Sequence, residues 1–540
     1  MRRLRILAPD PLTIVAAALL VFSFPPWNQA YLIWFALVPW FAAIRRAPDR
    51  RRAVLQGVWL SFFMSVGGFY WVATVLNEFG ELPWPFALLG LCLYALGGQP
   101  QFLVFAGLLK HLELKWPKLL RSGLFLALLY TGVDWLLPKL FVDTLGHSMY
   151  QAHRLRQVAD IGGASLITFI IFAVNDGIWK AAFTLRVPRP PFILNRVLLL
   201  PLLLVAAALG YGGWREEQIH RLMAQPTSKT RFGVIQPNIG DIDKLAVISG
   251  LRAASEKVLD TLFEMSEQAL QLSPKPEVLV WPETSYPSSF RTPRTATELA
   301  HDQRIERFVR SAGVPLLFGG YDMLGKKDFN AFFFLSPEAT KTGLAPGEPP
   351  NDLQVYRKNI LLLFGEYIPG ADSFDFIKNA FPRVGNFGRG IGPDVVTVKN
   401  IPIGPVICYE ALFTNYVIGA ARKGARMILN ITNDSWFGPH GEPILHLSLT
   451  TFRSIETRLP QLRATNTGIS TLIEPDGEIT HASEIDKPAI VNVEVGVIEP
   501  VWTLIKAWGD WFGLACLALA ALAWVAAWRG MWRLGHPSKP

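Results

Sequence analysis

The sequence predicts a polytopic α-helical membrane domain of about eight transmembrane helices, joined to an α/β domain. Three observations predict this combination. Apolar residues make up 51% of the 540 residues and charged residues only 18%, against about 25% charged in a soluble domain. Long apolar runs fill the first 215 residues and recur near the C-terminus. Between them, residues 216–500 alternate short β-branched runs with helical stretches, which is typical of sheets covered by helices.

The apolar runs are each near the ~20 residues that cross a bilayer. The first run has a basic start, as a signal peptide does. Further spans follow it at once, however, and it shows no clear cleavage site. Prolines 25 and 26 separate the first two runs, so these two could instead form a hairpin. We place the predicted spans at 9–24, 28–44, 54–76, 85–109, 120–138, 160–180, 194–214 and 502–528.

Basic residues in the connecting loops predict the orientation. Alternate loops and the two termini hold most of the Lys and Arg residues that flank the spans, whereas the other short loops hold only Lys139, Arg154 and Arg156. The positive-inside rule then places both termini in the cytoplasm of a multi-pass inner-membrane protein. The predicted domains are 1–215 (membrane), 216–500 (periplasmic in a Gram-negative cell), 501–530 (last span) and 531–540 (tail). The net charge of +9 thus indicates topology, and we expect no nucleic-acid partner.

The three cysteines differ in their surroundings. Cys92 and Cys516 lie in long apolar runs, where a thiol is usually a small buried hydrophobe. No CxxC pair exists, which argues against a zinc site or a disulfide framework. Cys408 stands among polar and glycine-bearing residues and is the cysteine that calls for a chemical role.

The α/β domain shows apolar runs and helical stretches in alternation. Predicted helices cover about 241–272, 296–312, 411–424 and 444–459, and Pro475-Asp476-Gly477 predicts a hairpin turn. The predicted strands are 232–236, 278–281, 315–318, 331–335, 403–407, 427–430, 468–473 and 490–493.

Three candidate catalytic residues lie next to apolar runs. Glu283 comes after a strand that ends in proline, Lys358 precedes the apolar run 361–364, which we expect to be a strand, and Cys408 lies where a strand turns into a helix. A helix N-terminus would favour the nucleophilic thiolate, and backbone N–H groups beside it could receive an oxyanion. Taken singly, each has a plainer alternative: a surface glutamate in a turn, a solvated lysine and a buried structural thiol.

The motifs around these residues, in this order, resemble the nitrilase (carbon–nitrogen hydrolase) superfamily with its Glu–Lys–Cys triad. Seven spans before the domain and one after it make the whole chain similar to a membrane-bound branch, the apolipoprotein N-acyltransferase family. The motifs are 281–283 (WPE), 356–358 (YRK), 364–367 (FGEY), 407–410 (ICYE), 433–438 (NDSWFG) and 462–468 (LRATNTG). One departure is Leu363, where the family usually has proline; no catalytic side chain is lost.

The resemblance implies an αββα sandwich and a ping-pong transfer. Cys408 would take an acyl group from a phospholipid, with phosphatidylethanolamine the expected donor, and pass it to the amine of a diacylglyceryl apolipoprotein. Glu283 would be the general base and Lys358 the oxyanion donor. Glu366, Glu410 and Tyr409 would support them. The resemblance implies no cofactor and no metal, and we expect a monomer in the bilayer.

Aromatic residues on glycine-bearing loops are candidates for a substrate entrance. Trp436, Phe437 and Phe387 are the chosen residues, and a lid is expected around Phe374–Ile377, Phe381 and Val384. Ordinary core packing explains such residues equally well. Two rival functions also remain: a membrane-tethered amidase or nitrile hydrolase that uses the same triad, and a lipid transporter or scaffold with an inactive domain. A transporter should carry polar or charged residues within its spans; Asp134, Asp160 and Asp176 lie in or near them, but no paired relay is evident in the sequence.

Overall fold

The computed structural model describes residues 8–78, 80–121, 123–184, 191–240, 252–325, 327–338, 353–363, 365–368 and 387–533. They form two compact units. The first comprises residues 1–217 and 507–540, and the second residues 218–506.

The first unit is helical, because its apolar runs satisfy their backbone hydrogen bonds internally. Gly57 shows how closely the helices pack: a Cβ there would lie 2.5 Å from the carbonyl oxygen of Phe102. The longer helices, including one that continues into the second unit, are Pro11–Ser23, Val38–Arg46, Arg50–Gly68, Trp71–Glu78, Trp84–Gly97, Pro100–Lys115, Phe125–Leu136, Ala159–Thr184, Pro191–Met223 and Phe512–Arg533.

The predicted count of eight spans is not confirmed. Four stretches within the described residues are long and apolar enough to cross a bilayer: Trp84–Lys115, Ala159–Ala182, Val197–Met223 and Phe512–Arg529. A fifth arises if Arg50–Gly68 and Trp71–Glu78, bent by 66°, are one span.

The remaining predicted spans fail because their helices are short. Pro11–Ser23 has 13 residues and Phe125–Leu136 has 12; at 1.5 Å per residue both fall well below the ~30 Å hydrocarbon core. The run 28–44 is broken into a 3₁₀ turn, Ala30–Trp34, and a nine-residue helix, Val38–Arg46.

The three acidic residues noted in the spans each pair with a nearby cation. Pairing neutralises a buried carboxylate locally, so these contacts are separate ion pairs and not a continuous relay. The pairs are Asp134–Lys139 at 2.8 Å, Asp160–Arg215 at 2.6 Å and Asp176–Lys180 at 2.6 Å.

The second unit contains twelve strands in its described residues, arranged in two six-stranded sheets. The strand bounds are β1 Ser228–Gln236, β2 Val278–Val280, β3 Leu316–Leu324, β4 Lys327–Leu335, β5 Gln354–Arg357, β6 Val396–Val398, β7 Ile401–Ile407, β8 Met427–Thr432, β9 Gln461–Thr465, β10 Thr471–Ile473, β11 Ile479–Thr480 and β12 Ala489–Val497.

The two sheets have the same kind of order. The first runs β12-β1-β2-β3-β4-β5 and the second β11-β10-β9-β8-β7-β6. In each, three central strands are parallel and the outer pairs antiparallel. Gln236 on β1 accepts a hydrogen bond at 3.0 Å from Thr465 on β9, so the sheets face each other.

Helices cover the outer faces and complete an αββα sandwich. Arg252–Leu270 and Ala296–Ala312 supply apolar residues to the core of the first sheet, and Thr414–Arg422 does so for the second. A further helix, Glu442–Thr457, is almost wholly buried. The layers implied by the resemblance are therefore present.

Local signals explain why several predicted elements are confirmed. The helix Ala296–Ala312 has the predicted bounds because Thr295 and Glu298 form a capping box and Gly313 ends it at φ 68°. The turn at Gly477 (φ 86°) joins β10 to β11 as a hairpin. All eight predicted strand runs contain an observed strand.

Three expectations differ from the structure. The short strands β5, β6, β9 and β11 were not predicted. The expected strand after Lys358 is wrong: the described residues there form turns, with a single bridge between Leu363 and Tyr367. The strand lies before the lysine instead, as β5. Of the predicted helix 241–272, Arg252–Leu270 is observed, and 241–251 lie outside the described residues.

Candidate active site

The three predicted catalytic residues all lie just beyond the ends of strands. Glu283 follows β2 through Trp281-Pro282, Lys358 follows β5 directly, and Cys408 follows β7 directly. The three residues are 5%, 2% and 7% exposed. Burial argues against the surface glutamate and the solvated lysine that the sequence left open.

Lys358 holds the centre of the site. Its Nζ donates hydrogen bonds to Glu283 Oε1 at 3.1 Å and to Glu366 Oε1 at 2.9 Å. Burial lowers the pKa of an ammonium group, but the two carboxylates outweigh it and hold the Lys358 pKa well above 10.5. The lysine is therefore a fixed cation within electrostatic reach of Cys408.

Glu283 is held by the main chain as well as by side chains. It accepts hydrogen bonds from Asn330 Nδ2 at 2.7 Å and from the N–H of Asn433 at 2.9 Å. Burial and the charge of Glu366 raise its pKa above 4.5, although Lys358 and Asn330 lower it. A raised pKa makes this carboxylate a better proton acceptor than an exposed glutamate.

The main chain around Glu283 leaves no room for a side chain at position 319. A Cβ on Gly319 of β3 would lie 2.6 Å from Glu283 Cα. Thr284 adopts φ 50°, a left-handed conformation that is costly for a β-branched residue. The position of the carboxylate is thus set by the close approach of β3.

Cys408 sits on a strained turn. Its φ is +50°, and it begins a 3₁₀ turn, Cys408–Leu412, before the helix Thr414–Arg422. Such a conformation costs about 1–3 kcal/mol for a non-glycine residue and is typical of active sites. Where the sequence predicted a helix N-terminus at Cys408, the structure has one short turn. This turn does not favour the thiolate as the N-terminus of a long helix would.

The resting form of Cys408 is the thiol. Burial, followed by the charge of Glu283, raises its pKa well above 9.0, although Lys358 and a hydrogen bond from Thr432 lower it. Thr432 is the last residue of β8. A cysteine of this kind needs a base to become a nucleophile, and Glu283 is the charged base beside it.

Asn330 is a site residue that sequence reasoning missed. It lies on β4, is 3% exposed, and bridges Glu283 and Glu366 through Nδ2, at 2.7 and 2.9 Å. Its sequence signal was an amide directly before the apolar run 331–335. A buried amide on such a strand must find partners, so this position was a candidate for a polar site.

The three supporting residues have separate positions. Glu366 accepts a hydrogen bond from Lys358 directly, whereas the described hydrogen bonds of Glu410 go to other groups. Glu410 accepts instead from the N–H groups of Asn359 (2.6 Å), Ile360 (3.1 Å) and Ile407 (2.8 Å), and from Tyr356 Oη (2.6 Å).

Glu410 thus ties the chain after Lys358 to the chain before Cys408. Tyr409 is buried and lies edge-on to Phe413 at 5.0 Å, and burial raises the pKa of Tyr409 to about 12. We expect this phenol to remain neutral and to act through packing.

The candidate entrance residues are not equally exposed. Trp436 is 38% exposed, whereas Phe437 is only 7% exposed. Phe387 is half-buried and stacks on Tyr321 at 5.6 Å. Phe437 thus fits ordinary core packing better than a role at the substrate entrance. The expected lid at 374–384 lies outside the described residues.

The two outlying motifs contact each other at the end of β8. Arg463 donates to Asp434 Oδ2 at 2.9 Å, and a Cβ on Gly468 would lie 1.9 Å from the same oxygen. Asn466 donates to Asn433 Oδ1 at 3.0 Å. Arg463, Asn466 and Gly468 are therefore the residues of this motif that hold the loop after β8.

One group of side chains has the composition of a metal site. Ligand atoms of Asp434, Glu442 and His446 lie within 4.8 Å of one another. Arg463 Nη2, however, lies 2.9 Å from Asp434 Oδ2 and 3.1 Å from His446 Nδ1. The guanidinium balances the charge of Asp434, and burial raises the pKa of Glu442 well above 4.5, so this donor set does not fit a metal cation.

Comparisons with known proteins agree with this architecture. The family described as the apolipoprotein N-acyltransferase N-terminal domain matches residues 16–176, and the carbon–nitrogen hydrolase family matches residues 232–496. An apolipoprotein N-acyltransferase of Geobacter metallireducens is 30% identical over 96% of this chain and 95% of its own. The chain belongs to the apolipoprotein N-acyltransferase family.

A second relative in that family gives the same result. The apolipoprotein N-acyltransferase of Bdellovibrio bacteriovorus is 29% identical over 90% of this chain and 88% of its own. Among solved structures, Nit3 of Saccharomyces cerevisiae, from the nitrilase superfamily, covers 50% of this chain and 91% of its own, at 15% identity and a TM-score of 0.35. The acyltransferase predicted from the motifs is confirmed as the family, with a nitrilase-like α/β sandwich and candidate membrane helices.

Proposed function

We propose that Cys408, Glu283 and Lys358 move an acyl group from a phospholipid to the α-amine of the diacylglyceryl-cysteine at the N-terminus of an apolipoprotein. The observation that carries this proposal is the convergence of three strand ends from two sheets. It puts a thiol, a carboxylate of raised pKa and a fixed cation within electrostatic reach of one another.

In the first half-reaction Glu283 takes the Cys408 proton and the thiolate attacks the ester carbonyl of the phospholipid. Lys358 and a backbone N–H beside Cys408 stabilise the oxyanion. When the intermediate collapses, the C–O bond of the ester breaks and Glu283 returns the proton to the lysophospholipid. A thioester on Cys408 remains.

In the second half-reaction the neutral α-amine of the acceptor attacks the thioester. Glu283 takes a proton from the amine, the C–S bond breaks, and Cys408 recovers its proton. The products are a triacylated lipoprotein and the free enzyme. Since one product leaves before the second substrate reacts, this sequence predicts ping-pong kinetics.

We also propose the topology inferred from charge. Both termini would be cytoplasmic, with residues 216–500 in the periplasm, where donor and acceptor lie in the outer leaflet of the inner membrane. A donor such as phosphatidylethanolamine and a monomeric enzyme belong to this proposal. The contrast between loops rich in Lys and Arg and loops that hold few of them supports it.

The decisive test traps the thioester. Purified wild type, Cys408→Ala and Cys516→Ala are incubated with phosphatidylethanolamine labelled in its acyl chain, and the label is then released with hydroxylamine. We expect label on wild type and on Cys516→Ala, which keeps the site intact, but none on Cys408→Ala.

Label that persists on Cys408→Ala would refute the mechanism. Adding an apolipoprotein acceptor then separates the two activities. Transfer of label to the acceptor amine supports the acyltransferase, whereas release to water in its presence would favour a hydrolase that uses the same triad.

A further inference from the structure

Residues 388–392, Gly-Arg-Gly-Ile-Gly, are a part of the second unit that neither half-reaction described above uses. We call them the glycine segment. Two hydrogen bonds anchor the segment at Gly390: its N–H donates to the carbonyl oxygen of Lys358 at 2.8 Å, and its carbonyl oxygen accepts from the side chain of Asn359. The glycine segment is therefore fastened to the main chain of the proposed oxyanion donor.

The glycines at both ends of Ile391 press against their neighbours. A Cβ on Gly390 would collide with the carbonyl oxygen of Arg357, and a Cβ on Gly392 would collide with the hydroxyl of Tyr416. Those two positions therefore face inward and leave no room for a side chain. The residues between the glycines point outward instead.

The two outward side chains differ in character. Arg389 is exposed, and Ile391 is 97% exposed. An isoleucine that gains almost nothing from burial is uncommon on an anchored segment, since apolar area in contact with water is unfavourable. The segment thus presents one cation and one apolar side chain, two positions apart.

The guanidinium of Arg389 is held in place without using its donors. It lies over the ring of Tyr367, 4.8 Å from the ring centroid, and among the described residues it forms no hydrogen bond and no ion pair. A guanidinium over a ring keeps its N–H groups free in its own plane, where they match the oxygens of a phosphate in pairs. Tyr367 directly follows Glu366, which binds Lys358 at 2.9 Å, so this cation lies near the reaction.

Of the two proposed substrates, the donor fits this pair of side chains better. A phospholipid carries a phosphate diester and, next to it, apolar acyl chains. The diacylglyceryl-cysteine of the acceptor carries acyl chains but no phosphate. A free cation beside an exposed apolar side chain therefore indicates the acyl donor.

We propose that Arg389 binds the phosphate diester of the phospholipid donor, with Ile391 against the apolar part of the same lipid. This proposal rests on the proposed function, since it assumes a phospholipid donor. The phosphate takes no part in breaking the ester bond, so the contact is the same before and during the reaction. Arg389 therefore lowers the half-saturating donor concentration and leaves the maximal rate unchanged.

The test compares two acyl donors in single-turnover labelling of Cys408. One is phosphatidylethanolamine, and the other is a p-nitrophenyl ester of the same fatty acid, which has no phosphate. Arg389→Met keeps an unbranched side chain over Tyr367 without the charge, and Arg389→Lys keeps the charge. Arg307→Met is the matched control, because Arg307 is an exposed arginine on the helix Ala296–Ala312 and its loss changes the net charge equally.

We expect Arg389→Met to raise the half-saturating concentration of phosphatidylethanolamine on the order of tenfold, the effect of losing a hydrogen bond to a charged group. Arg389→Lys should raise it by about threefold, because an ammonium group binds phosphate as a point charge and not in pairs of bonds. The maximal rates should not change. With the p-nitrophenyl ester all variants should match wild type, and Arg307→Met should match it with both donors.

An unchanged half-saturating concentration of phosphatidylethanolamine in Arg389→Met would overturn the proposal. So would an equal rise for both donors, or an equal rise in Arg307→Met, since neither depends on a phosphate at Arg389.

A binding measurement keeps this result apart from failure of the proposed function, in which wild type forms no label on Cys408. Fluorescent phosphatidylethanolamine is titrated in detergent into Cys408→Ala, with and without Arg389→Met. We expect binding on the order of tenfold weaker in the double variant. Equal affinity refutes the phosphate contact, whether or not wild type is acylated.

Discussion

Replacing Asn330 by leucine should shift the pH dependence of acyl-enzyme formation. Asn330 is 3% exposed and donates two hydrogen bonds to carboxylates, to Glu283 at 2.7 Å and to Glu366 at 2.9 Å. Its contact lowers the pKa of Glu283. Leucine has a similar volume but no donor, so the substitution removes both bonds without leaving a large cavity.

The magnitude follows from the number and kind of bonds. A hydrogen bond to a charged group is worth about 1.5–3 kcal/mol, so two amount to at least about 3 kcal/mol in the free energy of unfolding. The Glu283 pKa, already above 4.5, rises further in the variant. Only ionised Glu283 can take the Cys408 proton. As the pH is lowered, the variant therefore loses activity at a higher pH than wild type does.

The assay is single-turnover labelling of Cys408 as a function of pH, with no acceptor present. This isolates Glu283, because the amine of the acceptor, which also titrates, plays no part. The ratio of the Asn330→Leu rate to the wild-type rate should fall steadily as the pH is lowered. No loss on the alkaline side is expected below about 10.5, since Lys358 has its pKa raised well above that value.

Asn492→Leu is the matched control. Asn492 lies on β12 and donates a single hydrogen bond, to the carbonyl oxygen of Pro274 at 2.8 Å. We expect a loss of about 1 kcal/mol or less in stability and an unchanged pH profile. A rate ratio for folded Asn330→Leu that is flat or rises toward low pH would refute the reasoning about Glu283.

Three further predictions concern the frame of the site. Glu410→Gln replaces an acceptor of four hydrogen bonds with a group that also donates, so thermal unfolding in detergent should show a loss of about 2–3 kcal/mol; unchanged stability would contradict its role as a tie. Gly319→Ala pushes a Cβ to 2.6 Å from Glu283 Cα and should cost about 1–3 kcal/mol and slow acylation, whereas Gly240→Ala, with nothing within 4 Å, should do neither. Because Arg463 already balances the charge of Asp434, EDTA should leave the acylation rate unchanged; a loss restored by a divalent cation would show that a metal binds there.

The sequence alone determined much of the second unit because the relevant signals are local. A capping box and a C-terminal glycine set the bounds of Ala296–Ala312, and apolar runs marked the eight predicted strands. The chain order of Glu283, Lys358 and Cys408, together with the motifs around them, was enough to predict a triad. The short strands escaped because two to five residues carry too little periodicity.

Only the tertiary structure decided which side chains meet. Asn330 contacts Glu283 across 47 residues, and the N–H of Asn433 reaches it across 150; such contacts depend on strand order and register, which no local pattern encodes. The same holds for the resting thiol of Cys408, since burial and the nearby charge of Glu283 set its pKa. In the first unit, hydropathy located apolar runs, but turns and bends within them decided how many helices are long enough to span a bilayer.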